Sequence, residues 1–419
     1  MITIKLPQPL RALRYYNFRL YFFGQAISLI GTWMQRIAVS WLVYTLTHSA
    51  FMLGLVAFAG QIPILLLSPY AGAYVDRHNR YKTLLFTQVA SMVQAGLLAL
   101  LVWIGRYDVT TIIILSVMLG VINAFDTPSR QSLMILLIDD KKHLPNAIAL
   151  NSTMVTLARL LGPAVAGILL SSYGEDICFL MNFISFIAVI VSLLFMKIHI
   201  PLRPKNKEPI WKGLQEGYTY LRGRPDLRSV ILLMTFISLL VMPYSTLLPV
   251  YAASVFKGDV TTFSWLNSIS GLGALLGAAY IATLKPGANL LKLIAYSALF
   301  FSGGLIVFSY TKNFTLALLF LMMAEGGMLA EIAATNTYVQ THVDEHMRGR
   351  VISYYVMAFL GMQPIGGLLI GSLAHVTNAP LTVLIEGICG VTAVLIFTPF
   401  LKRARKNNLL KGEGALTER

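Results

Sequence analysis

Lys197-Ile-His-Ile-Pro201-Leu-Arg203-Pro204-Lys205-Asn-Lys207-Glu-Pro209-Ile-Trp-Lys212-Gly-Leu-Gln-Glu-Gly-Tyr-Thr-Tyr-Leu-Arg222-Gly-Arg224-Pro225-Asp-Leu-Arg228 is the single long polar stretch in a chain of 419 residues. On either side the sequence is almost continuously apolar: 56% of all residues are hydrophobic and 12% are charged. A water-exposed shell needs about twice that charge. Apolar runs of about 20 residues, long enough to cross a bilayer, lie near 18–46, 50–74, 83–105, 110–132, 146–172 and 177–196 before the polar stretch. They resume near 229–253, 263–284, 290–310, 315–338, 351–374 and 381–401 after it. The expected fold is an all-α membrane protein of twelve transmembrane helices in two six-helix bundles. The bundles are residues 1–196 and 229–401, joined by a cytoplasmic linker at 197–228 and followed by a cytoplasmic tail at 402–419.

A net charge of +15 at pH 7 raises the question of nucleic acid, and the placement of the charge answers it. Of the 33 Lys and Arg residues, only Arg106, Lys257 and Lys312 fall in the odd-numbered loops, and Arg36 and Arg159 lie within spans. All the others occupy the ends, the linker and the even-numbered loops. Cytoplasmic loops carry such an excess, so both termini are expected inside and the charge faces lipid headgroups. The N-terminal segment has basic residues but no small-residue cleavage site after a short apolar core, so the first span is read as a permanent helix. Cys178 and Cys389 both sit in apolar runs, which argues for packing and against a disulfide framework or thiolate metal site.

Within the linker, Ile210, Leu214, Tyr218 and Leu221 recur at helical spacing. They fit either an amphipathic helix on the inner membrane surface or a solvated connection. The two halves also resemble each other. Span five reads Gly162-Pro163-Ala-Val-Ala166-Gly167 and span eleven Pro364-Ile-Gly366-Gly367, each a mid-span proline followed by small residues. Such duplication suits a transporter whose two bundles rock about a central site. Gly273 and Gly277 form a G-x-x-x-G pair in span eight, and Gly366 to Gly371 thin out span eleven, as close helix packing requires.

The loop between spans two and three reads Gly72-Ala-Tyr-Val-Asp76-Arg77-His-Asn-Arg80-Tyr-Lys82. Asp76 can accept hydrogen bonds at a helix N-terminus, and Arg77 and Arg80 can bridge to acids, making a latch for one conformation. Asp126 and Arg130, spaced i,i+4 in span four, share a helix face and are expected partners in it. This loop resembles the signature of the major facilitator superfamily, which implies the major facilitator fold. Span five resembles the motif of the drug-antiporter branch of proton-exchanging exporters, with Arg159, Gly162, Pro163 and Gly167 at an antiporter-type kink. Further stretches extend the resemblance over residues 8 to 400: Trp33 to Tyr44, Asp126 to Gln131, Asn146 to Asn151 and Arg348 to Ser353. They are similar to the exporter group that contains enterobactin exporters and macrolide-efflux proteins.

Ionisable residues inside a span are functional suspects because burying them is costly. Gln25, Ser28, Thr32 and Arg36 step along one face of span one. The resemblance implies that helices one, four, seven and ten line the cavity, so this stripe and Asn123 of span four are expected to line it. Arg36 would anchor an anionic or oxygen-rich substrate. Span ten carries Glu325 and Glu331, roughly 120° apart around the helix. Glu325 is expected to be the coupling acid and Glu331, nearer the inner end, a second proton-coupling group with a latch role. Glu386, near the outer end of span twelve, is expected to reach water. The histidines fall at span ends or in loops, against a histidine proton relay.

No Gly-Lys dipeptide exists for a phosphate-binding loop, and no catalytic or metal-type cluster appears. The expectation is therefore a proton-coupled secondary active exporter, and not an enzyme. It would move a small organic molecule such as a siderophore or amphipathic drug across the bacterial cytoplasmic membrane by alternating access. A lipid or lysophospholipid flippase and a facilitator-type importer stay open on the same fold. The partners expected are the substrate, protons and membrane lipids, with the chain acting as a monomer and needing no cofactor or metal.

Overall fold

The computed structural model describes residues 8–198, 210–284 and 288–417. Its described residues hold 12 helices long and apolar enough to cross a membrane. Every backbone N–H and C=O in a bilayer must be satisfied within the protein, and an apolar helix does this internally. The first six spans are α1 (Tyr16–Thr47), α2 (Ala50–Arg77), α3 (Arg80–Trp103), α4 (Val109–Leu136), α5 (Leu144–Tyr173) and α6 (Glu175–Leu194). Next come the linker helix α7 (Ile210–Gly223), α8 (Pro225–Leu240) and the single turn α9 (Leu248–Val250). The remaining helices are α10 (Val260–Ala282), α11 (Leu290–Tyr310), α12 (Phe314–His342), α13 (Arg348–Val356), α14 (Met362–Val376) and α15 (Ala379–Thr417).

The short connections end their helices with polar caps. The side chains of Ser49, Asn79, Asp108, Asn289 and Asn313 accept hydrogen bonds from the first-turn N–H groups of Met52, Tyr81 and Lys82, Thr111, Lys292 and Leu316. Those donors have no partner within the helix, and a cap stabilises each end by about 1 kcal/mol. At Asp108 the Thr111 hydroxyl, followed by the Thr111 N–H, holds the carboxyl below the usual carboxylate range.

The chain forms two compact units, residues 1–206 with 252–271, and 207–251 with 272–419. In the first, α1 packs on α5 and α6, α3 on α4 and α6, and α2 on α4. In the second, α8 packs on α14 and α15, and α11 on α12 and α15. The same pairings by span number recur, as the internal repeat leads one to expect. Large apolar side chains such as Phe86, Trp103 and Ile168 stand exposed on the outside, as a hydrocarbon solvent allows. Inside the first unit Gln35 donates to Gln94 at 2.9 Å and accepts from Asn182 at 2.7 Å, tying α1 to α3 and α6 through satisfied buried amides.

The seventh span is broken. Between α8 and α9 the chain makes a 3-10 turn at Met242–Leu247, and after α9 a π turn at Tyr251–Val255. Pro243 and Pro249 each remove a backbone donor. The eleventh span carries a second π turn at Met357–Gly361, whereas α5 runs unbroken through Pro163. The linker helix α7 docks on α13: the Tyr354 hydroxyl donates to the Leu214 carbonyl at 2.9 Å, and Arg350 pairs with Glu216 at 2.5 Å.

Candidate functional site

Gly162 sets how near α5 comes to α1. A Cβ there would overlap the Trp33 Cβ and stand 3.1 Å from the Ile30 carbonyl, so only glycine fits. Close approach of this kind is what small residues provide in membrane helix pairs. It brings Arg159, one turn earlier on α5, to Trp33: the guanidinium carbon is 5.9 Å from the ring centroid. Arg36, one turn along α1, stands 4.5 Å from the same ring. Two cations thus share one indole at cation–π range. Arg36 is exposed and forms no salt bridge with an Asp or Glu among the described residues. A guanidinium offers a fork that matches carboxylate geometry, and the indole offers an apolar plane.

The rest of the expected cavity stripe divides. Thr32 is half-buried and donates to the Ser28 carbonyl at 2.9 Å, and Asn123 is half-buried. Gln25 and Ser28 are buried. Gln25 accepts from Arg130 at 3.5 Å, which joins it to the Asp126 cluster on α4. There Asp126 pairs with Arg130 at 2.9 Å and accepts from Thr87 at 3.0 Å and Gln88 at 2.6 Å. Of the loop residues, Arg77 is exposed, Arg80 is buried, and a Cβ on Gly72 would meet open space. The Asp76 side chain lies outside the described residues. A groove of about 670 Å³ between α2, α3 and α4, walled by Tyr70, Tyr74, Phe86 and Phe125 with Lys82 and His78 on its lining, runs beside this cluster.

In the second unit, the broken seventh span presents Tyr244, whose hydroxyl donates to Glu325 Oε1. Glu325 is 1% exposed. Gly273 of α10 lies directly against it: a Cβ on Gly273 would strike the Met322 carbonyl oxygen and stand 3.0 Å from the Glu325 Cβ. Glu331, two turns along α12, is fully buried. It accepts from Thr335 at 3.2 Å, and its second oxygen has no hydrogen-bond partner among the described residues. Glu386 departs from expectation. It is 1% exposed and does not reach water, because α15 turns it into the packed face that carries Thr382 and Val383. No group of three His, Cys, Asp or Glu among the described residues is placed to hold a metal.

A family described as "Transmembrane secretion effector" matches residues 8–411. The chain belongs to that family. The family is a transporter family of the major facilitator superfamily, in the exporter group. This member is a multi-pass membrane transporter of small molecules, and not an enzyme. It is 29% identical over 397 residues to the staphyloferrin A transporter of Staphylococcus aureus, covering 93% of this chain and 97% of that one. With macrolide efflux protein A of Streptococcus pyogenes it shares 25% identity over 277 residues, covering 63% and 68%. The fold matches the crystal structure of the nucleoside transporter NupG at a TM-score of 0.71, with 14% identity and coverage of 93% and 99%.

Three site residues of this secretion effector escape sequence reasoning. Trp33 is one of several aromatic residues in α1, and nothing local marks it as shared by two arginines. Gly273 reads only as a packing residue. Tyr244 does carry a signal: it follows Pro243 in a span with a second proline at 249, and interrupted spans mark binding sites in transporters.

Proposed function

We propose that this member is a proton-coupled exporter of a small anionic or oxygen-rich organic molecule. It works as a monomer by alternating access in the bacterial cytoplasmic membrane, with both termini inside. The observation that carries the reading is Glu325, buried in an otherwise apolar span and held by the Tyr244 hydroxyl. A carboxyl so placed in a bilayer is a functional group by default, and taking up and releasing a proton is chemistry that it supplies unaided. Glu331, equally buried on the same helix, is the second proton-coupling candidate.

The substrate class follows from the first unit. Arg36 and Arg159 over Trp33 form a site for carboxylate, catecholate or other clustered oxygens, with the indole covering an apolar part. The relative named a staphyloferrin A transporter supports a siderophore-like molecule. The macrolide efflux relative supports outward movement. Asp76, Arg77, Arg80, Asp126 and Arg130 serve as the conformational latch of the two six-span halves.

The test is transport in proteoliposomes under an imposed pH gradient. The panel would be catecholate and carboxylate siderophores, macrolides and lysolipids, each with and without a protonophore. Gradient-dependent movement of one class is expected. Glu325→Gln should abolish it while leaving substrate exchange partly intact. Movement indifferent to the gradient, or unchanged in the variant, would overturn the coupling.

A further inference from the structure

Glu386 has no role in the mechanism above, and its surroundings are unusual. The side chain is 1% exposed, and neither carboxylate oxygen has a hydrogen-bond partner among the described residues. Next to it on α15, Gly387 lies against the Ser302 carbonyl and Ile306 of α11, and Gly390 faces Ser302 and Val241. The helix is thus wedged between α11 and the start of the break in the seventh span. Tyr251, the first residue of the π turn, lies in the electrostatic field of Glu386. Its ring packs on Phe308 at 4.7 Å.

The titratable groups around Glu386 are few. Tyr251 faces it from the broken span and Cys389 from its own helix. On α11, Lys292, Tyr296 and Tyr310 are exposed, and on α14 His375 is exposed. Glu386 forms no salt bridge among the described residues. An ionised carboxylate buried without a cation or donor is prohibitively costly, and such a group neutralises instead. A metal cation would ask for six or more oxygen ligands, and the surroundings supply one carboxylate.

Placement gives the site a meaning. Spans ten and twelve begin on the same side of the membrane. At 1.5 Å per residue, Glu386 lies about 10 Å from the Ala379 end of its helix, and Glu325 about 16 Å from the Phe314 end of its own. Tyr251 and Tyr244 are seven residues apart on the span that runs the other way. The second unit therefore holds two tyrosine–carboxyl layers along the broken span, Tyr251 with Glu386 nearer the surface and Tyr244 with Glu325 deeper.

We propose that Glu386, with Tyr251 beside it, is a second proton-binding site of this transporter, one layer nearer the surface than Glu325. Its service as the entry station for Glu325 rests on the proton-coupled reading given above, while proton binding at Glu386 itself does not. No bond other than O–H is made or broken: the carboxyl takes one proton from the aqueous side and gives one up.

The test is an infrared pH titration of the purified full-length chain in detergent, following the carbonyl band of protonated carboxyl groups. At neutral pH the wild type should show a component that is lost in Glu386→Gln, and that component should vanish as the pH is raised with the protein still folded. A band identical in wild type and variant would overturn the proposal. So would a component that persists at every pH at which the protein is folded, since that group would be permanently neutral. If Glu386→Gln fails to fold, the double variant Glu325→Gln with Glu331→Gln leaves Glu386 to carry the titrating band. A titrating Glu386 in a protein without gradient-driven transport would sink the coupling and leave this site standing; the reverse result would do the opposite.

Discussion

Replacing Arg36 by alanine separates a binding role from a structural one, because the two predict effects of different size. The guanidinium carbons of Arg36 and Arg159 lie 4.5 and 5.9 Å from one ring centroid, so they are no more than about 10 Å apart. At that distance and an effective dielectric of about 20, their repulsion is about 1.7 kcal/mol. It is smaller to the extent that water reaches Arg36, which is exposed. Arg36→Ala relieves this and forfeits a cation–π contact of about 0.5–1 kcal/mol. The terms oppose each other, so the stability of the ligand-free protein should change by less than about 1 kcal/mol. Breaking a buried ion pair would instead cost about 3–5 kcal/mol.

Binding should respond differently. A hydrogen bond to a charged group contributes about 1.5–3 kcal/mol, so affinity for an anionic substrate should fall about tenfold to a hundredfold. Arg36→Lys, which keeps the charge and loses the fork, should fall between. The assay is thermal unfolding of wild type and variants in detergent, beside affinity for whichever panel compound shows gradient-dependent transport. A large loss of stability with unchanged affinity would refute the substrate-anchor role.

Two further substitutions probe the acid in the second unit. Tyr244→Phe keeps the ring, which packs on Phe301 at 6.0 Å, and removes the donor to Glu325; stability should fall by about 1–3 kcal/mol and gradient-driven transport should weaken. Unchanged thermal stability and transport would refute the importance of that hydrogen bond. Gly273→Ala forces a methyl group against the Met322 carbonyl and the Glu325 side chain. It should cost about 1–3 kcal/mol, read as a lower thermal midpoint, and a variant as stable as wild type would show that α10 can yield there.

The spans were legible because a bilayer imposes one demand on every crossing, an apolar run of set length, and no tertiary contact is needed to see it. The linker was legible for the opposite reason. What sequence could not supply was which face of each helix turns inward. Glu386 sits seven residues from the start of its span, where distance along the helix suggests access to water; rotation buries it instead. Gln25 and Arg36 lie on one stripe of α1, yet Gln25 joins Arg130 while Arg36 joins Trp33. Eleven residues of helix drift far enough around the axis for one stripe to serve two neighbours. The sharing of Trp33 depends on Gly162 of a different span, and no local pattern encodes it.

The buried charges divide by unit. The cations over Trp33 belong to the first, and the acids Glu325, Glu331 and Glu386 to the second. On the proposed reading the anion is held by one half of the repeat and the proton by the other. Antiport then requires the two occupancies to influence each other through a shared equilibrium. Linkage makes that influence reciprocal: whatever factor protonation takes from substrate affinity, substrate takes from proton affinity. Coupling of about 1–3 kcal/mol would appear as a fivefold to hundredfold dependence of substrate affinity on pH. Affinity should weaken as the pH falls in the wild type and become flat in Glu325→Gln. A flat wild-type profile would mean that proton and substrate do not communicate, and a slope that survives in the variant would move the coupling to Glu331 or Glu386.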